Sequence, residues 1–502
     1  MNVGIDFGTT KSAMAYTQFR KTVAIEDGQG HRSIPSLVMV VPDERLYIGW
    51  EALNHRARYE KETEHFTISS IKRLIGKSRR ANIGNFETSP QEVAALILGA
   101  LKIHAEQRLR TQITDAVIAV PAHFDINQRW ATLQAAELAG LKVHRLLNEA
   151  SAAVLAFSRS RNKREGVALV FDFGGGTLDV SIVNFENDVY EVLATAGDDQ
   201  LGGDDFDQIV AEWVVNEMRS RHGFGGELTP MQQLVLREAA TRAKIELSNA
   251  GSARIYIPGF LKGRTMFLNV DLTISKDAFE KMSSHLLDRA KAVLRKALGA
   301  ARSPKQFTDV IVIGGTSRMP CIRQMVRQVT GIAPYAGVDS EVGVAEGASL
   351  MASVLGGGEN LLLLDVTPAT YSVELIGGAV LPLISSNTTI PTLARETFTI
   401  RGTGDELVIR IYQGDSHMAS NNSLIGHVDF SGLQLGTQIE VTFQIDANNT
   451  LSVSARHMTT GKNVDVEIKA PHRLSQEELK RMQPWVDQGL CSYREQHGGR
   501  RI

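Results

Sequence analysis

Three glycine-rich turns, each entered from an apolar strand, constrain this chain more than any other feature: VGIDFGTT (3–10), ALVFDFGGGTLD (168–179) and DVIVIGGTSRMP (309–320). Glycine lets the backbone come close to phosphate oxygens with its amides turned inward, so three such turns predict one nucleoside triphosphate gripped from several sides. Asp6 and Asp172 each close an apolar strand and precede an aromatic residue, a glycine turn and a threonine, and they stand 166 residues apart. Solenoid repeats run only about 20 to 50 residues, so this spacing predicts a duplicated domain facing its copy across a cleft.

A chain of 502 residues exceeds a single hydrophobic core and predicts two to four domains. With 43% hydrophobic and 22% charged residues and a net charge of −2, the composition indicates neither disorder nor a nucleic-acid-binding surface. The two cysteines, Cys321 and Cys491, form no CxxC pair, which argues against a disulfide framework or a zinc site and fits reducing cytoplasm. The first residues enter a strand without a basic segment and no apolar run approaches eighteen residues, so neither a signal peptide nor a membrane span is expected.

Strands alternate with amphipathic helices up to about residue 355, as in PQEVAALILGALKIHAEQRL (90–109) and PMQQLVLREAATRAKIELSN (230–249), which reads as an α/β domain over 1–355. Segment 356–365 then runs from a glycine triplet into four leucines, too apolar for a free connector, and is expected to dock. From 366 to 470 the pattern changes to period two between the turns GTGD, DANN and TTGK, which predicts an all-β sandwich. In the remaining 471–502, Ser475 and Glu478 are spaced as a capping box for one short helix, which Pro484 should end or kink.

These residues bring a family into view. IDFGTTKS (5–12), VFDFGGGTLDVS (170–181) and VIGGTSRMPCI (312–322) closely resemble the three signatures of the seventy-kilodalton heat-shock chaperones of the DnaK type. IKRLIG (71–76), AVPAHFDINQR (119–129), LGGDDFD (201–207), AKIELS (243–248), LLLLDVTP (361–368), SNTTIPT (386–392) and IYQGD (411–415) match as well, in order, over residues 1 to about 480. The resemblance implies an actin-like duplicated two-lobe ATPase domain followed by a β-sandwich peptide-binding domain and a short helical tail. The function it implies is an ATP-dependent chaperone that hydrolyses ATP slowly and couples this to binding and release of extended hydrophobic segments of unfolded proteins.

Hydrolysis of ATP needs charge neutralisation at the β- and γ-phosphates and an oriented water, so acidic metal ligands and a lysine are expected. Asp6, Glu149, Asp172 and Asp179 are the candidate acids. By resemblance, Asp6, Glu149 and Asp172 hold the water shell of Mg2+, Asp6, Asp172 and Asp179 lie near K+, and Thr9, Thr10 and Thr177 contact phosphate oxygens. Lys72 would otherwise read as a solvated lysine on a helix face, but it matches the family residue that orients the attacking water, with Arg73 beside it. Lys244 and Ser248, one helical turn apart, are assigned to the base pocket with Gly314, Gly315 and Arg318, whose guanidinium would stack on adenine. Gly8, Lys11, Gly174, Gly175, Gly176, Gly202, Gly203 and Glu341 complete the expected ATP/ADP site. Thr241 stands where the family usually has an acidic residue for the ribose, and Glu341 where it usually has aspartate, so the strength of ATP binding stays open.

Burying one leucine contributes roughly 1.5 to 3 kcal/mol, so docking Leu361 to Leu364 would contribute at most about 6 to 12 kcal/mol, against about 5.5 for full reversal of a two-state switch. Leu362, Leu363 and Leu364 can thus carry a switch or simply form a buried strand edge. The resemblance adds Pro121 and Arg129 as a relay towards Glu149, and Arg145 with Asp365 at the interdomain contact. It also shows departures that remove proline or charge there, at Ala150, Ser386 and Asn448. Val373, Ile376, Phe398, Leu407 and Ile409 are its peptide contacts, though alternating apolar residues more commonly form sandwich core; Arg401 stands where a small residue arches over the peptide.

Family members continue into a long helical lid with an acidic tail motif. This chain is expected to be a short form lacking most of that lid, and therefore to release peptide quickly. Implied partners are a J-domain co-chaperone and a nucleotide-exchange factor, with no nucleic acid and no membrane. Three other readings remain: an actin-like filament protein, which would not need the β-domain; a metabolite kinase, which would need a substrate motif not seen; and a specialised paralogue acting as a nucleotide-exchange partner.

Overall fold

The computed structural model describes residues 2–19, 21–41, 45–59, 66–77, 80–83, 86–262, 267–301, 307–335, 337–358, 360–399, 406–431, 436–464, 468–470 and 472–497. It is a mixed α/β protein with eleven α-helices among the described residues. Two sheets of six strands each form its larger part, and two sheets of four strands each lie C-terminal to them.

The strands that carry Asp6 and Asp172 sit in the same surroundings. Asn2–Asp6 runs parallel to Asp115–Val120 on one side and antiparallel to Lys11–Gln18 on the other. Glu165–Phe173 runs parallel to Asp309–Ile313 and antiparallel to Leu178–Glu186. Both acid-bearing strands are buried almost throughout, as apolar runs in a sheet covered on both faces must be.

Helices flank these sheets where caps start them. Ser89 and Glu92 form a capping box for Pro90–Leu109, and Thr229 and Gln232 form one for Pro230–Leu247, each with proline at the first turn, where its missing N–H costs nothing.

Leu362–Val366, within the leucine segment, adds a parallel strand to the edge of the second sheet, Leu363 opposite Tyr190. Leu363 is buried, Leu361 and Leu364 are half-buried, and Leu362 is 51% exposed. The segment docks as expected, but burial of one leucine in full, with parts of two others, falls short of the upper bound that four buried leucines would set.

The two four-stranded sheets share one core, with Tyr371, Val373, Ile409 and Ile411 on one side and Ile439, Val441 and Phe443 on the other. Ile126 and Trp130 of the helix Ile126–Leu138 belong to that same core, so the sandwich is packed on the α/β part.

The helix near the C-terminus departs from expectation. It starts at the Ser475–Glu478 capping box but runs unbroken through Pro484 from Gln476 to Gln496. A proline inside a helix removes one backbone hydrogen bond and crowds the preceding turn. Here the turns on both sides are anchored, since Leu479, Val486 and Tyr493 are buried in the core under the first sheet. The helix lies against Pro90–Leu109 and Ile126–Leu138, with Leu490 at Gly99 and the Gln483 side chain donating to the carbonyl of Leu138. Among the described residues no helix is long and apolar enough to cross a membrane.

Candidate functional site

The three glycine turns converge on one cleft of about 960 Å³ between the two six-stranded sheets. Their backbones interlock. The amides of Gly203 and Asp204 donate to the carbonyls of Gly174 and Gly175, at 3.0 and 2.9 Å, and the Thr316 hydroxyl donates to the Gly174 carbonyl at 2.8 Å. No larger residue fits at Gly202, where a Cβ would come within 2.3 Å of the Gly175 carbonyl, or at Gly314, which has φ +81° and would press on the Phe173 carbonyl. Thr9 and Thr10, from the first turn, face Gly176 and Gly175 of the second. Thr9 and Thr177 are buried while Thr10 is exposed to the cleft.

Lys72 sits in a single 3-10 turn, Ile71–Arg73, which follows Ser70 in left-handed backbone (φ 56°). That turn aims the side chain inward. Lys72 is only 3% exposed and its ammonium donates to Glu149 at 2.5 Å, with the Phe124 ring centroid 5.6 Å away. It is not a solvated lysine. Arg73 points back across the cleft, donating to the Gly176 carbonyl at 3.0 Å and pairing with Asp205 at 2.7 Å.

The acids gather around this lysine. Burial, then the charge of Glu149, push the Asp6 carboxyl up to about 7 although Lys72 opposes the shift. Burial and Glu149 likewise push Asp179 up to about 7, while a 2.9 Å bond from the His123 amide opposes it. Asp172 is held well above the carboxylate range by burial and by Glu149, Asp179 and Asp6. One ammonium is too little positive charge for four carboxyl groups in so dry a place, and a divalent cation would relieve the deficit. Among the described residues no three His, Cys, Asp or Glu side chains are placed to hold a metal ion directly.

At the other end of the cleft, Lys244 bonds the Gly203 carbonyl at 2.9 Å and pairs with Asp207 at 2.8 Å, and Thr241 donates to the same Asp207 at 2.8 Å. Ser248 and Gly315 line this end, Arg318 is tied to Ser340 through Nε at 3.1 Å, and Lys11 pairs with Glu341 at 2.8 Å. Asp207 and Ile245 also line it and were not expected from sequence. Asp207 has a signal only in the run of acids after Gly203, and an isoleucine beside Lys244 reads as helix core.

The expected relay residues lie where the cleft meets the sandwich. Pro121 and Arg129 are buried, and Arg129 donates to the carbonyls of Ala122, Phe124 and Asn448 and to the side chain of Asn148. It thus reaches the neighbour of Glu149, not Glu149 itself. Arg145 and Asp365 both lie at this contact, without a direct ion pair between them. Asn148 sits between, its amide donating to both oxygens of Asp365 at 2.7 Å, and Arg145 reaches the Leu363 carbonyl instead, at 3.3 Å. Asn448 is engaged despite its lost charge, its side chain accepting from the Leu146 amide at 3.1 Å.

The expected peptide contacts separate. Val373 and Ile409 are fully buried in the sandwich core and Phe398 is packed against it. Ile376 is fully exposed, with Leu375 and Met418 also exposed nearby. Leu407 lies in the strand Glu406–Gln413 with its side chain outside the described residues, and Arg401 lies outside them altogether.

Comparison with known proteins gives the chain its family. The profile of a family described as Hsp70 protein matches residues 2–488. The chain is 39% identical over 487 residues to a chaperone protein DnaK of Mycoplasmopsis pulmonis, covering 96% of this chain and 80% of that one. It is 38% identical over 486 residues to one of Mycoplasmopsis synoviae (95% and 80%) and 37% identical over 488 residues to one of Ureaplasma urealyticum (96% and 80%).

Proposed function

The chain belongs to the Hsp70 family, and from that membership we propose how its parts divide the work. It is an ATP-dependent chaperone, an ATPase that binds ATP and ADP. The finer reading is a two-lobe nucleotide domain over 1–355 whose lobes arose by duplication, a coupling strand over 356–365, a peptide-binding sandwich over 366–470 and a short helical tail. The matching strand surroundings of Asp6 and Asp172 support the duplication.

The observation that carries the catalytic reading is the buried Lys72–Glu149 pair, set where the glycine turns meet among three aspartates whose carboxyls burial holds above the usual range. Lys72 orients water for in-line attack on the γ-phosphorus as the bond to the β–γ bridging oxygen breaks, giving ADP and phosphate. Thr9, Thr10, Thr177 and the amides of the glycine turns hold the phosphate oxygens. Glu149 keeps the Lys72 ammonium in place, and closure of the turns excludes bulk water. A Mg2+ ion held through its water shell by Asp6, Glu149 and Asp172, with K+ near Asp6, Asp172 and Asp179, would neutralise phosphate charge when bound.

Coupling to the sandwich runs through Leu362–Val366 and the Asn148–Asp365 bond, with Arg129 joining Asn148 to Asn448. Extended apolar segments of unfolded proteins bind at the sandwich, with exposed Ile376 in contact and Val373 and Ile409 shaping the sheet beneath. A J-domain co-chaperone and an exchange factor are the proposed partners, and the two unpaired cysteines suit the cytoplasm. Single-turnover hydrolysis tests the mechanism. Lys72→Ala should still bind Mg-ATP while its turnover falls at least about a hundredfold, and near-normal hydrolysis would remove Lys72 from the reaction.

A further inference from the structure

Two residues in left-handed backbone bracket the turn that carries Lys72, Ser70 at φ 56° and Gly76 at φ 72°. At Gly76 no side chain fits, because a Cβ would come within 2.4 Å of the Gln128 amide nitrogen. At Ser70 glycine would suit the backbone without strain, yet the position carries a serine. A side chain kept in a conformation that disfavours it points to a use for that side chain. The Ser70 hydroxyl donates to the Asp204 carboxylate at 2.9 Å, 134 residues along the chain.

Asp204 is a fixed point for that bond. Its amide donates to the Gly175 carbonyl at 2.9 Å, which ties it to the second glycine turn, and it lines the cleft. The neighbouring stretch receives two more side chains from the same turn, since Arg73 pairs with Asp205 at 2.7 Å and Lys77 pairs with Asp199. These two charged pairs hold the chain after Lys72. Ser70 holds it before Lys72, and its carbonyl starts the turn by accepting from the Arg73 amide at 3.0 Å.

We propose that Ser70 is a positioning residue for hydrolysis, whose grip on Asp204 fixes the Lys72 ammonium relative to a phosphate held at the second glycine turn. This rests on Lys72 orienting the attacking water. Ser70 lies outside the lining of the cleft and acts through Lys72. The glycine turns and their threonines hold the nucleotide, so loss of the grip changes the rate and leaves binding as it was.

Single-turnover hydrolysis and Mg-ATP affinity test this on the wild type, Ser70→Gly, Asp204→Ala, the double variant and Lys72→Ala. Ser70→Gly keeps the left-handed backbone and removes the hydroxyl. It should slow hydrolysis about ten- to a hundredfold, as the loss of one hydrogen bond to a carboxylate allows, and leave ATP affinity within about twofold. In the Asp204→Ala background the same change should alter the rate less than about twofold, because the bond is already gone. A Ser70→Gly rate within about twofold of wild type would overturn the inference, as would matching losses of rate and ATP affinity, or a full additional loss in the Asp204→Ala background. An inactive Lys72→Ala beside an unaffected Ser70→Gly sinks the inference alone. Normal hydrolysis by Lys72→Ala removes the reading beneath it as well.

Discussion

The cleft and the sandwich differ in the residue types each is built from, and in how many structural uses those types have. A lysine, four acids and glycines with no room for a side chain have few structural uses together, so their sequence positions already suggest one site; the fold brings Lys72, Asp6, Glu149 and Asp172 to one cavity, with Asp179 buried outside its lining. The sandwich uses valine, isoleucine and phenylalanine both for its core and for any peptide it holds. Val373, Ile376 and Ile409 look alike along the chain, yet two are buried and one is fully exposed.

Four measurements would break or sharpen that contrast. The largest effect should come where the two regions meet. Arg129→Leu strips a donor from the buried carbonyls of Ala122 and Phe124, from the part-buried carbonyl of Asn448 and from the Asn148 side chain, at a cost of about 3 to 5 kcal/mol in denaturant unfolding; a loss below 1 kcal/mol would mean the junction is not a shared polar network.

Next, Ile409→Ala should destabilise the sandwich by about 2 to 4 kcal/mol, whereas Ile376→Ala should change its stability by less than about 0.5 and act on peptide affinity instead. If Ile409→Ala melted like the wild type and only lost peptide, the distinction between core and contact would fail.

The third effect is pH-dependent and belongs to the C-terminal helix. His104 is buried under it, shares a 3.0 Å hydrogen bond with the Tyr493 hydroxyl and faces His497, which contacts Glu51 at 3.2 Å. Burial, then His497, push His104 down to about 4, against a partial pull from Asp27. A depressed histidine leaves the unfolded chain binding more protons, so its stabilisation is complete above about 6.5 and disappears as the pH falls towards 4. Packing of this helix should weaken by on the order of 3 kcal/mol across that window, followed by the fluorescence of Trp485, and His104→Gln should flatten the profile.

The smallest separation is within the leucine strand. Leu363→Ala should weaken its docking by about 2 kcal/mol and Leu362→Ala by a few tenths, read by protease cleavage of the segment. Equal effects would mean that burial along the strand does not govern its hold.

Local chemistry decided what could be read in advance. Capping residues fixed the starts of Pro90–Leu109, Pro230–Leu247 and Gln476–Gln496, because a side chain three residues from its partner satisfies the same amide wherever the helix lies. Pro484 does not end the helix, because the cost of a lost hydrogen bond is local while the packing that outweighs it, through Val486 and Tyr493, comes from distant residues of the first core. Asn148 was not singled out in the sequence although it bonds both oxygens of Asp365, because a neutral amide carries no charge pattern to mark it. Ile245 gave no signal, since a helical isoleucine is read as core until its exposure is known.

The placement of Gln476–Gln496 has a mechanical consequence. The sandwich is entered through a strand stitched to the second large sheet and left through a helix seated beneath the first, so it spans the two like a bar bolted at both ends. Any relative rotation of those sheets loads the bar from opposite directions. Relief requires either that the strand unzip or that the helix lift, and whichever anchor yields first sets the direction in which the sandwich swings.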